Sequence, residues 1–389
     1  MPKLFFVVLL LGALAPAFAL AACGSRTGLQ FGIADSDAGT SIAAAIDAGD
    51  ACGATHLGAV ARTPTPPATS LGTVVGQAID LDHDALVILV LADDSTVQWA
   101  SVDLATGSVT PLTTGGDSNV IVGACASAAW DGANHRIVVL GGESPVNGNP
   151  VDPSQVYALR VQGTVAQLSL LPDFPGSTTT DLAIPAVVDP ARGALYAVQD
   201  KGSTAGPVTT YALDLTEGAE SWSMVSNDAQ PALASVQMAT LMLDAPNARI
   251  IGLGATFLET MTPGAPEVWA LPLAQSGAWT ELKGDMPFSV GEYLADLSRG
   301  LVFAPDDEGC GYVTAFSDDG CLYEAWRMEL GGASFTMSSL GVAVQPNQRA
   351  ARGPSLLDTR RQNFVFAAGF ECENSSIDSD STDFVPLLR

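Results

Sequence analysis

The stretch AAWDGANHRIVVLGG, from Ala128 to Gly142, places an aspartate in a turn and begins an apolar run six residues later, at Ile137. The same six-residue step from an aspartate to an apolar run recurs along the chain, at intervals of 51, 58, 55, 52 and 62 residues. The aspartates that mark it are Asp80, Asp131, Asp189, Asp244, Asp296 and Asp358. A repeat of this length is typical of a solenoid, a propeller or an array of small units.

Each repeat unit has the sequence of four short strands. An apolar piece precedes the aspartate, an apolar run follows it, and two further strands come after connections rich in Gly, Pro and Asp. In the third unit these strands are PAVV before Asp189, then LYAV, TTYALDL and SWSMV. Since the chain contains 39 Gly and 24 Pro and no long helical heptads, the pattern predicts an all-β fold.

The recurring aspartates have a local physical role. An aspartate carboxylate can accept backbone N–H groups across a tight connection, as an Asx turn. Pro190 and Pro246 add a fixed φ to two of these turns. We therefore expect the six aspartates to set the hairpin between strands one and two of each unit, and a ring of catalytic carboxylates is the alternative.

Four-stranded units of this period resemble the blades of kelch propellers, in which a strand ending in Gly-Gly is followed by a Tyr strand and a Trp strand. The second unit has Gly141-Gly142 and Tyr157, and the third has Tyr211 and Trp222. The fourth unit carries two tryptophans, Trp269 and Trp279. The Gly pair is kept in one unit, and other small residues replace it elsewhere. The resemblance covers roughly residue 54 to the end and implies a β-propeller.

The ends of the chain indicate how such a ring would close. The last unit stops at DFVPLLR, its third strand, whereas residues 56–70 precede the first unit and begin with strand character. A ring must hide its edge strands. The sequence therefore predicts a six-bladed β-propeller of four-stranded antiparallel blades over residues 54–389, with an N-terminal strand closing the last blade. A seventh blade would need about 50 further residues.

The N-terminus has the features of a secretory signal over residues 1–22: a positive charge at Lys3, an apolar core and then small residues. A retained transmembrane anchor is the alternative. Leu20-Ala21-Ala22-Cys23 resembles a bacterial lipobox, which implies that the Cys23 thiol receives a diacylglyceryl group and that this cysteine becomes the new N-terminus. Because Gly24 follows, the resemblance favours the outer membrane of a Gram-negative bacterium. Residues 23–53 are small and acidic and predict a flexible tether.

The composition excludes several classes of protein. With 42 acidic and 16 basic residues the net charge is −26, so phosphate backbones would be repelled and nucleic acid is not expected as a partner. With 47% hydrophobic residues the chain can bury a large core and is not disordered. An acidic, self-repelling surface predicts a monomer outside the cytoplasm, and a cation-binding surface is the alternative.

The cysteines left after Cys23 are odd in number, so at least one thiol stays free or pairs between chains. We expect a disulfide between Cys310 and Cys321, which flank a local segment, because a secreted protein permits disulfides. A second bond, between Cys52 and Cys372, would tie the tether to the last blade and is predicted less strongly, and Cys125 has the setting of a buried thiol at a strand start.

Candidate metal ligands are few. Asp378, Asp380 and Asp383 could offer hard oxygens to calcium, but the EF-hand spacing is missing and a solvated acidic loop is the favoured interpretation. The histidines share no spacing, and we expect exposed turn residues rather than metal ligands at His83 and His135. The sequence predicts no metal and no cofactor.

The long connections between strands two and three lie opposite the aspartate turns, and such insertions usually mark a binding face. They are residues 141–155, 200–208, 255–266, 304–319 and 370–382. Since no recognised catalytic motif is present, the sequence predicts a lipid-anchored binding module for an envelope protein or glycan. An extracytoplasmic hydrolase, lyase or oxidase acting on polysaccharide at this face is the alternative, because the members of a catalytic triad need not be close in sequence. A purely structural surface protein is a third reading.

Overall fold

The structure is a computed structural model of the 389-residue chain. It describes residues 56–58, 61–64, 73–91, 97–120, 126–141, 152–176, 184–199, 206–230, 232–233, 236–257, 263–273, 277–286, 301–302, 310–316, 323–343, 349–350, 355–358, 360–361, 363–371 and 377–388. Every regular element in these ranges is a β-strand, which confirms the predicted all-β class for them. Within the same ranges, no helix has the length and apolar character needed to cross a membrane.

The strands group along the chain into six units. Two N-terminal strands come first, β1 (His56–Leu57) and β2 (Ala61–Pro64). The first unit comprises β3 (Thr73–Asp80), β4 (Ala85–Leu91), β5 (Val97–Asp103) and β6 (Val109–Gly116). The second comprises β7 (Ser127–Asp131), β8 (Arg136–Leu140), β9 (Val156–Gln162) and β10 (Val165–Leu171). The third comprises β11 (Ala186–Asp189), β12 (Ala194–Val198), β13 (Val208–Asp214) and β14 (Ser221–Asp228).

The remaining units follow the same order. The fourth comprises β15 (Val236–Asp244), β16 (Arg249–Phe257), β17 (Pro263–Pro272) and β18 (Thr280–Leu282). The fifth comprises β19 (Leu301–Val302), β20 (Cys310–Phe316), β21 (Tyr323–Leu330) and β22 (Phe335–Ala343). The sixth comprises β23 (Arg349–Ala350) and β24 (Ser355–Asp358), which pair with different parts of the next strand and together take the position of the first strand, followed by β25 (Asn363–Glu371) and β26 (Ile377–Leu388).

Each unit forms an antiparallel meander. The third, fourth and fifth units are separate four-stranded sheets. The first two units join into one eight-stranded sheet, because the last strand of each unit, β6 and β10, pair with each other in parallel. The end strands of this sheet, β3 and β7, also lie against each other, so that the sheet is nearly closed. In the sixth unit β26 pairs with β25 on one side and with β1 and β2 on the other.

Burial on both faces explains the continuous apolar runs of strands such as β8. All five residues of β8 are buried, whereas in β10 only Ala166 and Leu168, two residues apart, are buried. A strand covered on both faces has apolar side chains at nearly every position. A strand covered on one face needs them only at every second position. Burying one such Leu or Ile side chain contributes about 1.5–3 kcal/mol.

Neighbouring units pack through apolar side chains. Residues that share a core cluster or a ring contact across successive seams are Trp99 with Tyr157, Val138 with Leu195, Tyr196 with Ile250, Leu253 with Met328, and Tyr312 with Phe364. The first strands also lie side by side: β3 against β7, β7 against β11, β11 against β15, and β19 against β24. Finally, β3 contacts β24 and β25, which brings the first unit against the sixth.

Two segments expected to be connections are strands instead. Residues 310–316 form β20, which pairs with β19 and β21. Acidic residues and cysteines flank this segment and suggest a loop, but its own sequence, CGYVTAF, carries aromatic and β-branched residues suited to a strand. Likewise β26 begins at Ile377, six residues before the predicted start of the last strand at Asp383. The single connection predicted over residues 304–319 is therefore wrong, because β20 lies within it and β19, at the predicted second strand, is the first strand of its sheet. The connections predicted over residues 255–266 and 370–382 are shorter than expected, since β16 extends to Phe257, β17 begins at Pro263 and β26 begins at Ile377.

Candidate functional site

Buried aspartates followed by tight turns recur at the ends of strands in five of the units. Asp80 ends β3, and its Oδ1 accepts the backbone N–H groups of Asp82 and His83 at 3.0 and 3.2 Å. Corresponding backbone N–H groups are donated by Ala191 and Arg192 to Asp189, by Asn247 to Asp244, and by Arg360 and Arg361 to Asp358. These are the contacts of Asx turns, and the aspartates that make them are buried.

A side-chain donor at the third position after the aspartate completes each described turn. Asn134 donates its Nδ2 to Asp131 Oδ2 at 2.7 Å, and Arg192 donates to Asp189 Oδ2 at 2.5 Å. The equivalent partners are His83 for Asp80, Asn247 for Asp244, and Arg361 for Asp358. The sequence analysis missed these donors. Its prediction that His83 and His135 are exposed turn residues is confirmed, since their side chains are 53% and 71% exposed. The signal was present as Asp-x-x-(His, Asn or Arg).

The fourth position after the aspartate adopts a left-handed backbone. It is Asp84, His135, Gly193 and Ala248 in four turns, with φ of 54°, 52°, 60° and 48°. Left-handed φ is unstrained for Gly and costs roughly 1 kcal/mol for other residues. The turns therefore keep one backbone shape even where the sequence does not supply Gly.

Arg136 links the second unit to the third. Its Nε donates to Asp131 Oδ2 at 2.8 Å, its Nη1 to Glu220 Oε1 at 2.8 Å, and its Nη2 to the carbonyl of Leu215 at 3.1 Å. Burial opposes the charge of Arg136, but the hydrogen bonds to Glu220 and Asp131 outweigh it and raise its pKa. For Glu220 burial likewise works against the charge, and the bond from Arg136 leaves its pKa lowered.

Arg249 makes the corresponding link from the fourth unit to the fifth. Its Nε donates to Asp244 Oδ2 at 2.5 Å, and its two terminal nitrogens donate to the carbonyls of Gly331 and Gly332 at 2.5 and 2.8 Å. The backbone of one unit is thereby bonded to a turn of its neighbour. A carbonyl at a strand end, which has no ladder partner, is satisfied in this way.

Asp84 joins the first unit to the sixth. It accepts hydrogen bonds from Arg361 and, at 2.7 Å, from Arg360, while Arg361 also donates to Asp358 at 2.8 Å. The hydrogen bond from Arg361 is the main cause of the lowered pKa of Asp84. A neighbouring contact between His135 Nδ1 and Asp82 Oδ2, at 2.6 Å, joins the first unit to the second. We call the side of the molecule that carries these turns, residues 81–84, 132–135, 190–193, 245–248 and 360–361, the turn face.

The described aspartates that mark the turns of the turn face are engaged in structural hydrogen bonds. Their carboxylates are occupied by backbone donors and by Asn, His or Arg side chains, which leaves them poorly placed to take a proton from a substrate. Among the described residues, no group of three His, Cys, Asp or Glu side chains could hold a metal ion. The arrangement therefore joins neighbouring units.

A second polar cluster, which the sequence analysis missed, lies at the seam between the third and fourth units. Asp228 Oδ2 accepts the backbone N–H of Trp279 and the side chain of Gln230, both at 2.8 Å. The indole of Trp279 donates to Thr210 Oγ1 at 3.2 Å. Thr210, Asp228 and Trp279 are buried, and the two bonds that Trp279 donates join the fourth unit to the third.

The structure describes some, but not all, of the remaining acidic residues and cysteines predicted from the sequence. Asp378, Asp380 and Asp383 lie in β26 rather than in an acidic loop, and Asp383 is opposite Arg62 of β2. Cys310 begins β20. Several predicted residues lie outside the described ranges: Cys23, Cys52, Cys125, Asp296, Cys321 and Cys372, with most of the predicted long connections and the tether. The pairings of Cys310 with Cys321 and of Cys52 with Cys372, and the buried thiol at Cys125, stay predictions.

The face opposite the turn face is described only at its rim. Gln155 Nε2 donates to the carbonyl of Asn119 at 3.3 Å, which connects the ends of the first and second units. Asp117 and Asp152 each accept a backbone N–H two residues later, at 2.9 Å. These exposed polar turns border the positions from which the connections between strands two and three leave the sheets.

Comparisons with known proteins leave the family open. No protein-family profile matches the chain, and no curated protein matches it in sequence. A provisionally assigned 6-phosphogluconolactonase from Bacteroides uniformis aligns with a TM-score of 0.45 and 13% identity, over 79% of this chain and 84% of that one. An exo-β-1,3-galactanase from Phanerochaete chrysosporium, solved with β-1,3-galactotriose, aligns with a TM-score of 0.42 and 8% identity, over 72% and 67%. These values are too low to carry a function to this chain.

Proposed function

We propose that the six units close into a six-bladed β-propeller and that β1 and β2 supply the outer strand of the last blade. Support comes from the order of contacts between first strands and from the pairing of β1 and β2 with β26. Side-chain packing and hydrogen bonds at the seams support the same arrangement. In a ring, each blade covers the faces of its neighbours, which accounts for second strands that are buried on both sides.

On this scaffold we propose a binding module of the cell envelope, anchored at the outer membrane through lipid on Cys23, whose partner is a protein or a glycan. One observation carries the proposal: the repeated carboxylates of the turn face are occupied by bonds within and between units. That face is therefore committed to holding the blades together. The connections between strands two and three, on the opposite face, remain for recognition, as is common for loops on repeat scaffolds.

The proposal is tested by binding measurements on loop variants. The full chain is screened by biolayer interferometry against immobilised polysaccharides and purified envelope proteins. In one variant residues 142–151 and 372–376 are replaced by Gly-Ser segments of equal length. In the matched control, residues 105–107 of the β5–β6 turn are replaced in the same way.

We expect the first variant to weaken binding at least tenfold and the control to bind like the wild type. Equal affinity for all three proteins would place recognition elsewhere and contradict the proposal. Turnover of any polysaccharide in the panel would indicate the alternative, an extracytoplasmic enzyme.

A further inference from the structure

The register of the N-terminal strands fixes the side of the molecule from which the preceding chain departs. His56 is opposite Leu388 and Leu57 opposite Leu387, at the end of β26. That end of the sheet carries the turn after Asp358, because Asn363 is opposite both Pro386 and Asp358. Residue 56 therefore lies at the turn face.

The strand β2 continues toward the other side. Pro64 is opposite Ser381, nearer the start of β26, where the connection between β25 and β26 lies. The first unit then begins at Thr73, opposite Leu91 and at the far end of the β3–β4 pair from the Asp80 turn. The two observations agree: the chain enters the fold at the turn face and crosses to the opposite face before β3.

The charges of the turn face suit a position near a membrane better than those of the rest of the surface. Five of the sixteen basic residues bond to carboxylates there: Arg136, Arg192, Arg249, Arg360 and Arg361. They offset most, though not all, of the acidic charge of this face, which is carried by Asp80, Asp82, Asp84, Asp131, Asp189, Asp244, Asp358 and Glu220. Elsewhere the chain carries a large excess of acidic residues, since its net charge is −26. Electrostatic repulsion from an anionic lipid surface is therefore smallest when the turn face is the side that approaches it.

We propose that the turn face is directed toward the phospholipid surface and that the opposite face is presented outward to the partner. This inference rests on the proposed lipid anchor at Cys23 and adds the orientation of the bound molecule. The tether predicted from the sequence, extended to Thr55, has 32 residues, and a random chain of that length would have an end-to-end distance of about 30 Å. Such a tether biases the orientation, and a shorter one should bias it more strongly.

The test compares two label positions at opposite ends of one strand. A fluorescent non-canonical amino acid is placed at Ala105, in the turn before β6, or at Ser118, just after β6; both residues are exposed. The two positions are separated by about 30 Å along the strand. Energy transfer to an acceptor lipid is measured for the full lipoprotein in vesicles of phosphatidylethanolamine and phosphatidylglycerol, with the complete tether and with residues 31–50 deleted.

We expect greater energy transfer from position 105 than from position 118, and a larger difference after the deletion. Equal transfer from both positions with the shortened tether, or greater transfer from position 118, would overturn the orientation.

A second version of the protein tests the orientation independently of the lipid anchor. It carries a hexahistidine segment in place of residues 1–23 and is held on vesicles by a nickel-chelating lipid. If the natural protein is not membrane-bound, the proposed lipid anchor at Cys23 is wrong. The tagged protein still tests the orientation, because greater energy transfer from position 105 than from position 118 would show that attachment at residue 24 turns the turn face toward the lipid.

Discussion

Replacing Arg136 by Met leaves two carboxylates, on Asp131 and Glu220, facing a neutral side chain. Asp131 and Arg136 are almost fully buried, with exposed fractions of 1% and 2%. Methionine fills much of the space of the arginine stem but donates no hydrogen bond. The substitution therefore removes the link between the second and third units with little change in packing volume.

The expected loss follows from the burial of the charges. Removing one partner of a buried ion pair costs about 3–5 kcal/mol, because the remaining charge is uncompensated. Glu220 retains some access to water, with an exposed side-chain fraction of 11%, so we expect a loss near 3 kcal/mol. The matched control is Arg160→Met, which breaks a pair with Glu217 whose side chains are 29% and 61% exposed and should cost about 0–1 kcal/mol.

Urea unfolding followed by tryptophan fluorescence and circular dichroism measures both free energies, provided that the two probes give coincident transitions. Adding Asp131→Asn to Arg136→Met removes the buried unpaired charge and should restore roughly 1 kcal/mol or more. The reasoning is refuted if Arg136→Met loses no more stability than Arg160→Met, or if Asp131→Asn deepens the loss.

Three further predictions concern the turns and the anchor. Ala248→Gly relieves a left-handed residue and should raise stability in urea by about 0.5–1 kcal/mol, whereas Ala245→Gly in the same turn should not; a lower midpoint for Ala248→Gly would contradict this. The pKa of Asp84 is lower in the folded protein than in the unfolded chain, mainly because of the hydrogen bond from Arg361. The ion pair therefore contributes its full stabilisation of the fold above the unfolded carboxyl pKa of about 3.9, and this contribution is lost as the pH falls through the pKa of Asp84 in the folded protein. Thermal unfolding of Asp84→Asn should therefore differ from wild type at pH 7 and converge with it in acid, and a pH-independent difference would count against the ion pair. Cys23→Ser should move the protein from the membrane pellet to the soluble fraction, and unchanged retention would argue against lipidation.

The sequence predicts the repeat and the class of fold because both depend on local patterns. The step from Asp131 to Ile137 reflects a turn followed by a strand buried on both faces, and each is visible in a few residues. The third-position donors, such as Asn134, were also encoded locally, but their role depends on a side chain reaching back to the aspartate. Composition alone does not distinguish such a residue from an exposed turn residue.

Other features are not readable from local sequence. The parallel pairing of β6 with β10 joins residues about fifty positions apart, for example Thr113 with Val165, and a segment such as VTPLTTGG gives no indication of it. The link from Arg136 to Glu220 spans 84 positions. The strand β20 was misread because its acidic flanks dominate the composition of the window.

Pairing of the N-terminal strand with the last strand is the central claim, and an engineered disulfide tests it most directly. Two double-cysteine variants are made at neighbouring pairs of opposed residues: Leu57→Cys with Leu387→Cys, and His56→Cys with Leu388→Cys. Opposed Cα atoms in an antiparallel pair of strands alternate between a wider and a closer spacing, so testing both pairs includes the spacing better suited to a disulfide. Peptide mapping without reduction should recover one of these pairs cross-linked, and the oxidised chain should unfold at higher urea than its reduced form because the bond closes a loop of most of the chain. If neither pair forms, or if the cross-link leaves the unfolding midpoint unchanged, the ends of the chain do not share a sheet and the proposed closure of the ring is contradicted.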